Sequence, residues 1–166
     1  MLTHWYWDHT FGMHAIHGLS LANARTNQRL LDFRGRLARE GVGFFLDLDE
    51  RIRREYAGDA PVVVVPGDMV FEGEMTLDPG GCPVHIFQAN SPHTNDATLI
   101  HVPDEGVLFM GDSACGSFPD WTKDMGLARS LAAAVEATGA KLCLQSHWTP
   151  QSREELVQDL LDPDMT

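Results

Sequence analysis

Six candidate metal ligands stand out along this chain in two sets. His4, Asp8 and His9 fall within six positions in the opening stretch Thr3-His4-Trp5-Tyr6-Trp7-Asp8-His9, and His93, Asp112 and His147 follow later. Imidazole nitrogens and carboxylate oxygens are donors that suit zinc and similar divalent ions. Read as a strand end, the opening stretch points residues 4 and 6 the same way. Asp8 and His9 then sit in the following turn, aimed at a second metal position. Two nitrogen ligands for one ion, with a carboxylate and an imidazole for its neighbour, make a compact dinuclear hydrolytic site.

The elements that must position these groups follow from the apolar periodicity. Residues 1–9 read as a strand end running into a ligand-bearing loop, with a short helix over 11–16 behind it and a weak strand over 19–23. Leu30, Phe33 and Leu37 mark a helix over 25–39, and Phe45, Leu48 and Ile52 a second over 44–56, with Gly41 and Gly43 between them. The period then changes to that of strands. Val62–Val65 is a β-branched run ended by Pro66-Gly67-Asp68, and further strands are expected over 69–77, 84–89, 98–102 and 107–110 as an antiparallel meander. Asp120 or Thr122 is placed to cap a helix running to Glu136 and stopped at Gly139. A strand over 141–145 and a closing helix over 151–161 complete the chain, the helix capped by Ser152 with Glu155 in a capping box. Strands in a run with helices at the flanks give an α+β class.

The order of these motifs resembles the metallo-β-lactamase superfamily, whose signature reads His-x-His-x-Asp-His. Ser91-Pro92-His93-Thr94-Asn95-Asp96 is similar to its third-histidine loop, Val107-Leu108-Phe109-Met110-Gly111-Asp112 to the strand that supplies its bridging carboxylate, and Leu144-Gln145-Ser146-His147-Trp148-Thr149-Pro150 to its final histidine loop. The resemblance runs from His4 to His147 and implies an αββα sandwich with metals at one edge. It further implies a first site of His4, residue 6 and His93, a second of Asp8, His9 and His147, and Asp112 as the bridge. Two departures stand out. Tyr6 replaces the second motif histidine, and the chain starts at the motif loop, where the family carries several earlier strands. A single domain over 1–166, lacking part of the first sheet, is therefore expected, with a second copy or partner chain available to cover it.

Composition narrows the function. The 166 residues carry a formal charge of −12, which disfavours nucleic acid as a partner. Arg34, Arg36 and Arg39, and Arg51, Arg53 and Arg54, alternate with acidic and apolar residues and read as solvated helix faces. Cys82, Cys115 and Cys143 form no Cys-x-x-Cys pair and fit free thiols in a reducing compartment; Cys115, three residues past Asp112, reads as a small buried thiol. With neither an apolar run of roughly 20 residues nor a signal-peptide pattern, the expectation is a cytoplasmic protein without a membrane partner.

The chemistry expected is metal-dependent hydrolysis of a small molecule, with one or two zinc ions per chain (iron or manganese as alternatives) lowering the pKa of bound water so that hydroxide attacks an ester, thioester, lactone or phosphodiester. Asp8 is the expected catalytic residue, orienting the nucleophile and handling its proton. Tyr6 leaves three readings open: a metal at the Asp8, His9, His147 site alone, a phenolate ligand to a harder ion, or loss of full activity. The rival class is a non-catalytic remnant that binds metal or a partner; a diiron oxidoreductase ranks third. His14, His17, His85 and His101 fall on helix or strand bodies and are read as structural, and the aromatics Trp5, Trp7, Phe118, Trp121 and Trp148 as packing or pocket lining.

Overall fold

In the computed structural model, which describes residues 1–58 and 61–164, the chain divides into two units, Met1–Val70 and Phe71–Thr166. The first is mostly helical. Residues 1–6 lie in no helix or strand and bend at Thr3; their one backbone link to β1 is a hydrogen bond of 2.8 Å from the Leu2 N–H to the Leu21 carbonyl. The expected strand end is thus absent, because a ladder needs a partner along its length and this segment has one rung. Helix α1, Trp7–Thr10, follows directly and carries Asp8 and His9 on its single turn. The 3₁₀ turn Phe11–Ala15, strand β1 (Leu21–Asn23) and helix α2 (Ala24–Glu40) come next. The buried Asn23 side chain caps α2 by accepting from the Thr26 N–H.

The single helix expected over 44–56 is two: α3, Gly43–Leu46, and α4, Glu50–Glu55. Asp49 causes the break, since its carboxylate accepts from the Arg51 N–H and starts a new helix in mid-pattern. Phe45 and Ile52 are buried as their spacing requires, while Leu48, on the break, is exposed. Phe11, Phe33 and Phe45 meet at centroid distances of 5.1–5.4 Å to form the aromatic centre of this unit. Trp5 packs on Phe33 and Trp7 on Phe45. The valine run 62–65 is not a strand, although Val64 is buried; it leads to β2, Met69–Phe71, which pairs with β1.

The second unit is built on a six-stranded sheet in the order β3-β4-β5-β6-β7-β8: Glu74–Leu77, Val84–Gln88, Thr98–Val102, Val107–Gly111, Leu142–Gln145 and Gln151–Ser152. The strand expected over 69–77 is split at Gly73, whose φ of +66° ends one pairing and starts another. β3 to β6 are the expected antiparallel meander, and β7 joins parallel to β6. That parallel step is bridged by α5, Met125–Thr138, capped by Asp124, two to four residues later than the sequence suggested. The Asp124 carboxylate accepts from both the Gly126 and Leu127 N–H groups, whereas Asp120 bonds only within its own turn, to Thr122. Helix α6, Arg153–Leu161, carries the expected capping box of Ser152 and Glu155.

One sheet face packs against α5 and α6, where Leu99, Leu108, Met110 and Cys143 meet Leu131, Val135, Leu156 and Leu160 in the buried core. The other face presents the cross-strand row Met75, Ile86, Ile100, Phe109, Leu144, entirely apolar, with Phe109 41% exposed.

Two substitutions separate packing from capping in this unit. Leu131→Ala removes a fully buried side chain from the helix–sheet core and is expected to cost about 2–5 kcal/mol. Ser152→Ala removes an exposed cap and is expected to cost about 1 kcal/mol. Urea unfolding of both variants should rank them in that order; equal losses would mean the core assignment is wrong.

Candidate metal centre

The sheet's directions explain where its ligands gather. β4, β6 and β7 run the same way, with β5 antiparallel between β4 and β6. His93, Asp112 and His147 each follow the C-terminal end of one of these three strands, so all three side chains start from the same edge of the sheet. Gly111 ends β6 with φ +56°, a left-handed turn that favours glycine, and its carbonyl accepts from the Ser146 N–H. This ties the strand end before Asp112 to the one before His147. The result is a contact of 3.4 Å between Asp112 Oδ2 and His147 Nε2. Asp112 is buried; His147 is half-exposed, beside the exposed ring of Trp148.

His93 is buried and held twice. Its backbone N–H donates to Ser91 Oγ at 3.0 Å, and Ser91 Oγ–H donates to the Ser113 carbonyl at 2.7 Å, joining the His93 loop to the Asp112 loop. Its Nδ1–H donates to the Gly116 carbonyl at 2.7 Å. That bond fixes the tautomer, so the lone pair stands on Nε2, the form in which an imidazole serves as a metal ligand. Trp121 stacks near the ring at a centroid distance of 6.3 Å. Gly116 has no room for a side chain, because a Cβ there would lie 2.1 Å from the Trp121 carbonyl oxygen. Ser91, Ser113 and Gly116 are positioning residues that no sequence signal marked, since their role depends on two loops distant in the chain.

In the first unit the opening motif is equally compact. Thr10 Oγ1–H is within 2.8–2.9 Å of the Trp5 and Tyr6 carbonyls, and the His9 N–H donates to the Tyr6 carbonyl. These bonds curl the motif so that the His4 and His9 rings lie 4.2 Å apart. His9 Nε2 is 3.3 Å from Asp8 Oδ2. Burial raises the Asp8 pKa, but the hydrogen bond and charge of His9, the backbone and the charge of His4 outweigh it, and the net shift is downward. Asp8 is therefore a carboxylate at neutral pH. Tyr6 is buried with its ring edge-on to His4 at 5.1 Å, so it lies beside a ligand candidate and packs as an aromatic.

The spacing of these pairs has a chemical meaning. Two ligands each about 2.0–2.1 Å from a tetrahedral ion stand about 3.3–3.4 Å apart. The Asp8–His9 pair, at 3.3 Å, and the Asp112–His147 pair, at 3.4 Å, both have that separation. The donor set fits a divalent ion such as zinc.

Of the four histidines read as lying on helix or strand bodies, His14 is in the 3₁₀ turn, His85 and His101 are in strands, and His17 is in no helix or strand. His14 Nδ1 pairs with the Phe11 carbonyl at 2.7 Å, and His17 is exposed. His85 and His101 are cross-strand neighbours in β4 and β5 with ring centroids 6.3 Å apart, a partnership their sequence separation hid. Cys115 is buried, and burial with the Asp112 charge pushes its thiol up to about 12; burial pushes Cys143 up to about 11. Both are thus inert thiols.

Two outcomes follow. Gly116→Ala is expected to displace the loop that holds the His93 ring and to weaken metal binding by about 10–100-fold, read by competition with a chromogenic chelator. Unchanged affinity would remove Gly116 from the site. In native protein at pH 8 a disulfide reagent should label Cys82 first, with Cys115 and Cys143 reacting only on unfolding.

No family model matches the chain, and no curated protein is significantly similar in sequence. Solved structures are similar in fold. DIM-1 metallo-β-lactamase exposed to ceftazidime superposes with a TM-score of 0.64 at 19% identity, covering 96% of this chain and 64% of that one. The metallo-β-lactamase of Pontibacter korlensis gives 0.64 at 16% identity (96% and 65%), and that of Hirschia baltica 0.62 at 19% (96% and 64%). The chain thus spans just under two thirds of the length of these structures. With nearly the whole chain matched and the motif residues at the strand ends, the architecture is settled as α+β with the metallo-β-lactamase fold.

Proposed function

We propose that this chain is a metal-dependent hydrolase that holds one or two divalent ions with ligands drawn from His4, Asp8, His9, His93, Asp112 and His147, zinc being the best fit to the donors. The observation that carries the reading is the ligand-edge spacing of two carboxylate–imidazole pairs, 3.3 Å in Asp8–His9 and 3.4 Å in Asp112–His147, on a metallo-β-lactamase fold. An ion held there would supply Lewis acidity and a nucleophilic hydroxide at neutral pH. Asp8, ionised at neutral pH, orients the attacking water and accepts its proton, then returns a proton to the leaving group. His93, with its tautomer fixed by Gly116, would offer Nε2 to an ion. Net hydrolysis adds the hydroxyl of water to the acyl or phosphoryl centre and its proton to the departing oxygen or sulfur. Esters, thioesters, lactones and phosphodiesters all satisfy this scheme. A small molecule processed in the cytoplasm fits the −12 charge and the inert thiols.

Tyr6 favours a second reading, a metal-binding remnant without turnover. Its ring is buried against His4 where a third nitrogen ligand would complete the first site. Metal content and turnover separate the two. Protein loaded with zinc and desalted is expected to retain about one ion per chain tightly, and Tyr6→His to bind a second more tightly than the unaltered chain. Asp8→Ala is expected to lower kcat/KM by at least about 10²-fold. No turnover across ester and phosphodiester panels by either the unaltered chain or Tyr6→His would favour the remnant; loss of metal binding in neither Asp8→Ala nor His147→Ala would refute the site altogether.

A further inference from the structure

Beside Asp8 and His9, and wholly within the first unit, lies a cleft of about 630 Å³. Its walls away from the motif are apolar: Met13, Ile16, Leu19 and Val65 line it along with Leu2. Ile16 is 70% exposed and Leu19 80%, more than any other large apolar side chains described, and they flank the turn at His17-Gly18. Single exposed aliphatics are ordinary, but two on one short segment opening onto a cleft with motif residues at its other end form a continuous surface. Charge narrows what it accepts. The lining contains two carboxylates, Asp8 and Asp68, and no lysine or arginine. Asp68 accepts from both the N–H and the hydroxyl of Ser20, which hold its pKa below the usual carboxylate range. A phosphate or sulfate substituent lying beside Asp68 would meet a fixed anion, with no side-chain cation in the lining beyond the imidazoles of His9 and His14.

Resting on the hydrolase reading above, we infer that the cleft binds the apolar acyl chain of an uncharged carboxylic ester, presenting its ester carbonyl to the Asp8–His9 end. This selects among the chemistries that the ligand set alone leaves equal. The reaction is ordinary ester hydrolysis: the acyl–oxygen bond breaks, the acyl carbon takes the hydroxyl of water, and the alcohol leaves with the proton.

The test uses the full chain, with p-nitrophenyl acetate, butyrate and octanoate as acyl substrates and bis-p-nitrophenyl phosphate as the anionic comparison. Each methylene buried is worth about fourfold in binding, so partial burial of the octanoyl chain should lift kcat/KM at least about tenfold over acetate. Ile16→Ser/Leu19→Ser, at two exposed positions that the fold does not need, should collapse that octanoate-to-acetate ratio toward unity, mainly through KM. Leu161→Ser, an exposed leucine on α6, should keep the ratio. Independently of turnover, the neutral fluorophore N-phenyl-1-naphthylamine should bind the metal-free chain, and its affinity should fall about tenfold in the double variant. Fluorophore binding lost in that variant, with no ester hydrolysed, would support the cleft and overturn the hydrolase. Ester turnover with no chain-length preference, or faster cleavage of the phosphodiester than of the octanoate, would overturn the cleft and leave the hydrolase standing.

Discussion

β6 and β7 lie side by side in the same direction, and a parallel pair cannot be closed by a tight turn. The chain must leave the end of β6, cross the sheet as α5 and re-enter at the start of β7. That crossing makes the Asp112 and His147 loops meet. It brings the ends of two strands, thirty-odd residues apart in sequence, to one place, where Asp112 and His147 meet at 3.4 Å. It also obliges α5 to cover the sheet, which is why Leu131 and Val135 are buried against Leu108 and Cys143. Core packing and the approach of Asp112 to His147 are thus two consequences of the same topological step.

Placement by strands is coarse, and the loops refine it. A strand end fixes where a side chain starts but not which nitrogen of an imidazole carries the proton. For His93 that is settled by Gly116, whose carbonyl takes the Nδ1 proton, and Gly116 keeps its place because only a residue without Cβ fits under the Trp121 carbonyl. The Ser91–Ser113 bond couples the two loops so that they hold position together. At the opening motif, the equivalent work is done by Thr10, which gathers the Trp5 and Tyr6 carbonyls and bends the chain until Asp8 and His9 are in contact. A buried hydrogen bond of this kind is worth about 0.5–1.5 kcal/mol in stability. Its larger effect is to remove rotational freedom from the side chains it holds.

The candidate ligands were legible because their chemistry is carried by residue type and short spacing. His4, Asp8 and His9 crowd into one motif, and His93, Asp112 and His147 each follow an apolar run that reads as a strand whatever lies around it. The meander, the capping box at Ser152 and the stop at Gly139 were legible for the same reason, since each depends on neighbours within a few positions. Reading failed where two local signals competed or a distant partner decided. Asp49 broke an otherwise regular apolar period by capping a new helix, and Gly73 divided one β-rich run into two strands. The opening residues and the valine run 62–65 have strand composition but no strand beside them along their length.

What this sequence determined by itself, then, is its inventory: which residue types could ligate an ion, where most of the helices and strands lie, and that the net charge is strongly negative. Tertiary structure alone decided the rest. The parallel step that joins the Asp112 and His147 loops, the tautomer of His93, the burial of Tyr6 as an aromatic beside His4, and the pairing of His85 with His101 all rest on contacts between residues far apart in the chain. The physical reason is that propensity and periodicity act over a turn or two of chain. Hydrogen-bond partners and van der Waals neighbours are chosen only after loops have closed and side chains compete for the same space.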